Sequence, residues 1–129
     1  MEVLEFTYPA NHKIKNRAHV GVVGSGNLEI LLESSTDVAS HVRVRTSVNG
    51  FQKTWKAVLD RFFDRCDAAV KIEINDAGAT PGIVTLRLQQ AMEQAMEQAM
   101  EQLIDKTVEN PIETPTEKAM EIPIEKINQ

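Results

Sequence analysis

Apolar and polar residues alternate at period two over Leu4-Glu5-Phe6-Thr7-Tyr8, which predicts a first strand, and Pro9 with the polar stretch Asn11 to Asn16 predicts a loop after it. Two further alternating segments, Ala18 to Val23 and Leu28 to Glu33, flank Gly24-Ser25-Gly26-Asn27 and read as a β-hairpin with that four-residue loop. A turn at Ser34 to Asp37 leads into His41-Val42-Arg43-Val44-Arg45-Thr46, whose valines share one strand face. The period then changes. Phe51, Trp55, Val58, Leu59, Phe62 and Phe63 recur at three- and four-residue spacing, the apolar stripe of a helix from about Phe51 to Arg65 entered through Asn49-Gly50. Strict alternation returns in Val70-Lys71-Ile72-Glu73-Ile74, a fifth strand.

Asn75 to Gly82 is a cluster of turn residues, and Thr80-Pro81 has the chemistry of an N-cap with proline at the first helical position. Val84, Leu88, Ala91 and Ala95 form an inward stripe for a second helix. Val84, Leu86 and Leu88 also fit a short strand, but the high helix propensity from Gln89 onward favours the helix. The expected fold is α+β: a small mixed or antiparallel sheet of about five strands with two helices, a C-terminal helical extension and a disordered tail. Its aromatic stripe reads as core packing.

The repeat Ala-Met-Glu-Gln runs three times over 91–102. Each repeat advances about 40° around a helix, so its alanines and methionines drift off any one face and are expected to lengthen the helix without supplying core. Pro111, Pro115 and Pro123 punctuate an acidic sequence without aromatics, a composition that favours disorder. The chain thus divides into a domain over 1–90, a helical extension over 91–105 and an acidic tail over 106–129, and ending it somewhere from about Gln90 to Leu103 should leave the fold and any modification of the domain intact. Charge follows this division. Residues 1–88 hold 11 Lys and Arg against 10 Asp and Glu, while 89–129 hold 3 against 9, so the formal charge of -5 comes from the extension and the tail together. A domain near neutrality with no basic stripe gives nucleic-acid binding little support. No apolar run approaches membrane-helix length, no secretory leader is legible, and Cys66 is the single cysteine, so a cytoplasmic location is expected.

Ser25 is the residue whose placement carries chemical information. It stands between two glycines, with its hydroxyl free for covalent modification, although Gly, Ser and Asn also make ordinary turns. The serine-hydrolase pattern Gly-x-Ser-x-Gly fails, because Val23 and Asn27 occupy the glycine positions. His12, His19 and His41 are scattered over loop and strand positions and read as exposed or half-buried histidines. Gly21, Gly24 and Gly26 miss the spacing Gly-x-Gly-x-x-Gly, and a strand follows where that motif needs a helix. No His/Cys cluster has metal spacing, Asp60 and Asp64 read as solvated helix surface, and Cys66 as a buried structural thiol. Neither a catalytic nor a metal residue is assigned. A small domain without its own catalytic apparatus and with one displayed serine suits a carrier; a binding module using an unmodified hairpin tip stays open beside it.

Val20-Gly21-Val22-Val23-Gly24-Ser25-Gly26-Asn27-Leu28-Glu29-Ile30-Leu31-Leu32-Glu33, Thr46-Ser47-Val48-Asn49-Gly50 and Ile74-Asn75-Asp76-Ala77-Gly78-Ala79-Thr80-Pro81-Gly82 together resemble the acyl carrier (delta) subunits of malonate decarboxylase. The likeness covers about residues 1–95, and a weaker one to citrate lyase acyl carriers runs through the same serine, which leaves a citrate-lyase-type carrier as an alternative. The resemblance implies that Ser25 is joined by a phosphodiester to phosphoribosyl-dephospho-CoA, whose thiol carries acetyl and malonyl thioesters. It implies Gly24, Gly26 and Asn27 as turn and recognition residues around that attachment. It also implies a non-catalytic carrier role in malonate catabolism, with acyltransferase and decarboxylase subunits, a malonyl transferase and a prosthetic-group attachment transferase as partners. Two departures stand out: the family usually has aspartate where this chain has Asn27, and it usually ends soon after the last helix.

Overall fold

The structure is a computed structural model that describes the backbone of residues 1–109 and side chains through 105. Its elements in chain order are β1 (Glu2–Pro9), β2 (His12–Lys13), β3 (Ala18–Gly21), β4 (Leu28–Ser34), β5 (Ala39–Thr46), α1 (Gln52–Asp64), β6 (Ala68–Asp76) and α2 (Pro81–Glu109). The sheet runs β1-β5-β6-β4-β3, with β5 and β6 parallel and the other neighbours antiparallel. A parallel pair needs a crossover connection, and α1 supplies it between β5 and β6. The α+β class and both helices stand as the periodicity predicts. Where about five strands are expected there are six: β2 lies in the stretch read as a loop and pairs His12–Lys13 with Ala68–Ala69 of β6. Two residues are too few to show a period, so only the distant partner reveals this strand.

Alternation decides which sheet face is covered. Leu28, Ile30, Leu32, Val42, Val44, Val70, Ile72 and Ile74 are buried, together with Trp55, Val58, Leu59 and Phe63 of α1 and Val84 and Leu88 of α2. The opposite face carries Glu5 beside Arg43 and Glu33 beside Lys71, in line with a one-sided antiparallel edge. Phe51, read as the start of the α1 stripe, is instead the N-cap and half exposed, because Gly50 at φ +89 turns the chain just before the helix. Thr80 caps α2 as expected, accepting the Ile83 N–H on its Oγ1 at 3.3 Å.

The chain falls into two compact units, Met1–Met96 and Glu97–Gln129. Within the first, Ala91 and Ala95 are fully buried and Met92 packs on the core, so the start of the repeat does contribute core, contrary to the drift argument. The drift is real but slow. Two alanines four residues apart still share one face, and only the later copies leave it. Asn16 donates to the Ala95 carbonyl at 3.2 Å, and the His19 backbone N–H donates to Gln94 Oε1 at 2.8 Å. The safe truncation point therefore moves from Gln90 to Met96. A chain ended after Gln90 is expected to lose about 2–4 kcal/mol of stability from the vacated core and the two unmade hydrogen bonds. A chain ended after Met96 keeps the full-length urea midpoint; equal midpoints for all three lengths would show that the buried alanines contribute nothing.

α2 continues past residue 105 to Glu109, and the rest of the acidic tail lies outside the described residues, its disorder remaining an expectation. Among the described residues no helix is long and apolar enough to cross a membrane.

Candidate functional site

Gly21 ends β3 at φ +76 and turns the chain out of the ladder. Val22 and Val23, read from sequence as strand, are consequently loop residues and well exposed, so the β3–β4 connection has six residues rather than four. Inside it, the Asn27 N–H donates to the Gly24 carbonyl at 2.9 Å. Only the third residue of that turn, Gly26 at φ +73, has positive φ, which is the pattern of a type II turn with Ser25 at its second position. Gly26 thus has a conformational reason to be glycine. Gly24 has a different one: its φ is not positive and an added Cβ would meet nothing within 4 Å, so what it leaves is open space beside Ser25.

The turn is not a free tip. The Gly26 N–H donates to the Ala77 carbonyl at 2.8 Å and the Ala77 N–H donates to the Asn27 carbonyl at 2.9 Å, which staples the turn to the β6–α2 connection. That connection is organised by Asp76, a carboxylate only 6% exposed. Its Oδ2 accepts the Thr46 hydroxyl at 2.8 Å and the Gly78 N–H at 3.2 Å, and its Oδ1 accepts the Ala79 N–H at 3.0 Å. Ser47 also donates its N–H to the Asp76 carbonyl at 3.1 Å. A buried carboxylate is tolerated when donors satisfy its oxygens, and here the donors come from two separate loops. The segments 20–33, 46–50 and 74–82, far apart in sequence, therefore meet at Asp76 and Ala77, at the end of the sheet that carries the Ser25 turn.

Ser25 itself is exposed, and its Oγ has no hydrogen-bond partner among the described residues. The three histidines are each engaged with a carboxylate elsewhere: His12 with Asp67 at 3.3 Å, His19 with Glu29 at 2.9 Å and His41 with Asp37 at 2.9 Å. A serine without a base in contact is a weak nucleophile. Cys66 is half buried, and burial pushes its thiol above the ordinary cysteine range, which leaves little thiolate at neutral pH. Asp60 is held below the usual carboxylate range by Lys56 and Tyr8, both hydrogen-bonded to it at 2.7 Å, and so serves as a surface ion-pair partner. Among the described residues no three His, Cys, Asp or Glu side chains form a metal-holding group.

Of the residues expected at the site, Ser25, Gly24, Gly26 and Asn27 fall in one turn. Sequence reasoning missed three others. Gly21 reads from sequence as a strand residue and Asp76 as one of several turn residues, both inside the blocks that carry the resemblance but without a role, although an Asp before Ala-Gly is the signal of a side chain that binds the backbone ahead of it. The third is Arg87 of α2, whose Nε lies 3.4 Å from Asn27 Oδ1.

A family profile described as the malonate decarboxylase delta subunit (MdcD), an acyl carrier family, matches residues 15–95. The chain is 48% identical over 94 residues to a malonate decarboxylase acyl carrier protein of Pseudomonas fluorescens (strain SBW25), covering 72% of this chain and 95% of that one. It is 50% identical over 94 residues to the protein of the same description in Burkholderia cepacia, covering 70% and 87% respectively. A chain in the crystal structure of a Pseudomonas malonate decarboxylase hetero-tetramer in complex with malonate superposes with a TM-score of 0.71 at 46% identity, covering 74% of this chain and 99% of that chain.

Proposed function

The chain belongs to the malonate decarboxylase delta-subunit family, and on that premise we propose that it is the acyl carrier of such a complex, with Ser25 as the attachment point of its prosthetic group. The observation that carries this reading is an exposed serine, unpartnered among the described residues, at the second position of a turn stapled from behind by Ala77. The group proposed is phosphoribosyl-dephospho-CoA, whose terminal thiol supplies the nucleophile and holds acetyl or malonyl as a thioester for exchange and decarboxylation by partner subunits.

The residues present fit such a group. Open space at Gly24 and the exposure of Gly26 leave both sides of the Ser25 hydroxyl accessible to a bulky donor and to the enzyme presenting it. Attachment forms a bond from Ser25 Oγ to phosphorus in a phosphoanhydride-activated donor; the serine proton passes to a base on the attachment transferase, and the rest of the anhydride departs. The chain's own contribution is positional. A fixed turn and a flexible arm hold the reacting end at high effective concentration near successive active sites, which is what a carrier supplies. The partners proposed are acyltransferase and decarboxylase subunits, a malonyl transferase and the attachment transferase, in a cytoplasmic setting.

Intact mass of the full chain co-expressed with the attachment enzymes is the test. The expected result is a gain equal to one phosphodiester-linked phosphoribosyl-dephospho-CoA. An unmodified chain under those conditions rejects the carrier reading in favour of a binding module, and a holo thiol that accepts citryl but not malonyl groups reassigns the carrier to citrate chemistry.

A further inference from the structure

Arg87 is a half-buried cation that no carboxylate neutralises among the described residues. Its Nε donates to Asn27 Oδ1 at 3.4 Å and its Nη1 donates to Gln90 Oε1 at 2.8 Å, both uncharged partners. Among the described residues no Asp or Glu oxygen lies within 4.0 Å of it, whereas Arg43, Lys56 and Lys71 have Glu5, Asp60 and Glu33. Partial burial weakens the hydration of a guanidinium, so an unpaired one attracts an anion more strongly than a surface lysine would.

The surroundings fix where that anion sits. The arginine stem passes under Gly21, where its Cδ would stand 3.5 Å from an added Cβ, so the side chain is directed along the β3–β4 loop. Asn27 Oδ1 accepts from both Arg87 Nε and the Leu28 N–H, the latter at 2.8 Å. With that oxygen committed, the Asn27 Nδ2 donors face the other way, and they have no partner among the described residues. Ser25 is two residues back in the same turn, its Cα no more than about 7.6 Å from that of Asn27 by chain geometry. The turn that carries Ser25 thus also carries two kinds of donor for an anion, a charged guanidinium held against Asn27 and the neutral amide of Asn27 itself.

We propose that Arg87 and the Asn27 side-chain amide form the binding site for the phosphodiester on Ser25. The inference rests on the carrier reading and adds to it a residue 62 positions away in sequence. It also gives the Asn27 departure a consequence. An aspartate at 27 would ion-pair with Arg87 and set a second anion beside the phosphodiester; asparagine leaves the arginine charged and turns donors outward.

The experiment loads full-length wild type, R87Q and R87K with the attachment transferase, and follows the Arg87 Nε–H resonance by NMR in apo and holo protein. Loss of a charge-assisted contact is expected to lower the attachment kcat/KM about tenfold in R87Q, while R87K stays within about threefold. The gap narrows as salt screens the charge. The Arg87 Nε–H resonance of the wild type shifts on loading. In an N27D background the R87Q effect shrinks, because the aspartate already neutralises the arginine. If R87Q does not fold, the wild-type apo and holo spectra and R87K decide the matter alone. A loaded wild type whose Arg87 resonance stays put, with R87Q attaching at the wild-type rate, overturns this inference and leaves the carrier reading standing; a wild type that gains no mass overturns both.

Discussion

Ser25→Ala protein, co-expressed with the attachment enzymes, is expected to remain at its apo mass, a loss of loading that is complete rather than graded. The reason is stoichiometric: Oγ is the atom proposed to form the ester to phosphorus, and alanine has no substitute for it. The substitution should be silent for the fold. Ser25 is exposed and its hydroxyl holds nothing among the described residues, so the apo unfolding free energy should stay within about 0.5 kcal/mol of wild type. Other serines supply the controls. Ser35 and Ser40 are buried, with hydroxyls donating to the Ala39 and Ala68 carbonyls at 2.6 and 2.7 Å, and cannot present themselves to a transferase. Ser47 is exposed at the same end of the sheet but follows Thr46 and precedes Val48, without flanking glycines. Ser47→Ala should load like wild type. Mass gain in Ser25→Ala, or its loss in Ser47→Ala, would move the attachment point away from Ser25.

Gly21→Ala is expected to be the most destabilising single substitution in the loop, by about 3 kcal/mol from a left-handed backbone and an overpacked contact together. A Cβ at 21 would stand 2.1 Å from the Leu28 carbonyl oxygen and 3.2 Å from its carbon. Both are backbone atoms of the partner strand, so relief requires the β3–β4 pair to separate where it positions the turn. The neighbouring glycines calibrate this. Gly26→Ala meets open space but retains φ +73, which costs about 1–2 kcal/mol. Gly24→Ala has neither problem and should fall within about 0.5 kcal/mol of wild type, even a little above it, because alanine restricts the unfolded chain. Urea unfolding of the apo proteins should rank them Gly21 far worse than Gly26, and Gly26 worse than Gly24. Equal effects at 21 and 24 would show that β3 and β4 do not approach as closely as the structure has them.

Gly24 illustrates why stability and function separate at this site. Its substitution leaves the fold alone yet places a methyl group beside the serine, so any defect it causes belongs to approach by the transferase. Gly21 acts in the opposite way. It reaches the attachment site only through the Arg87 stem beside it, and holds the frame on which Ser25 and Asn27 are presented.

Most of the architecture was legible because its signals are local. The alternation in Val70 to Ile74, the three- and four-residue spacing from Trp55 to Phe63 and the Thr80-Pro81 cap each lie within a few residues of the structure they specify, and each appears where expected. The exposure of Ser25 was legible for the same reason: glycine on either side and apolar alternation beyond are enough to mark an accessible serine. The misreadings share one cause. Val22 and Val23 look like strand because valine favours it, and nothing nearby says that Gly21 must bend under the carbonyl of Leu28. His12–Lys13 looks like loop because its partner is Ala68–Ala69. The inward stripe places Ala91 and Ala95 in the core, where they are, but the repeat beginning at Ala91 looks free of core contacts, because Met92 gains its apolar neighbours only when α2 packs on the sheet.

What the sequence alone determined, then, is the set of elements other than β2, the side of each that is buried, and the exposure of the serine. Tertiary structure decided what surrounds that serine: Asp76 gathering Thr46, Gly78 and Ala79, Ala77 stapling Gly26 and Asn27, and Arg87 reaching the turn from α2. Those contacts join residues tens of positions apart. Periodicity and turn chemistry act over two to four residues, whereas a carboxylate or guanidinium acts on whatever the packed sheet and helices bring beside it, and that neighbour exists only once the core has closed.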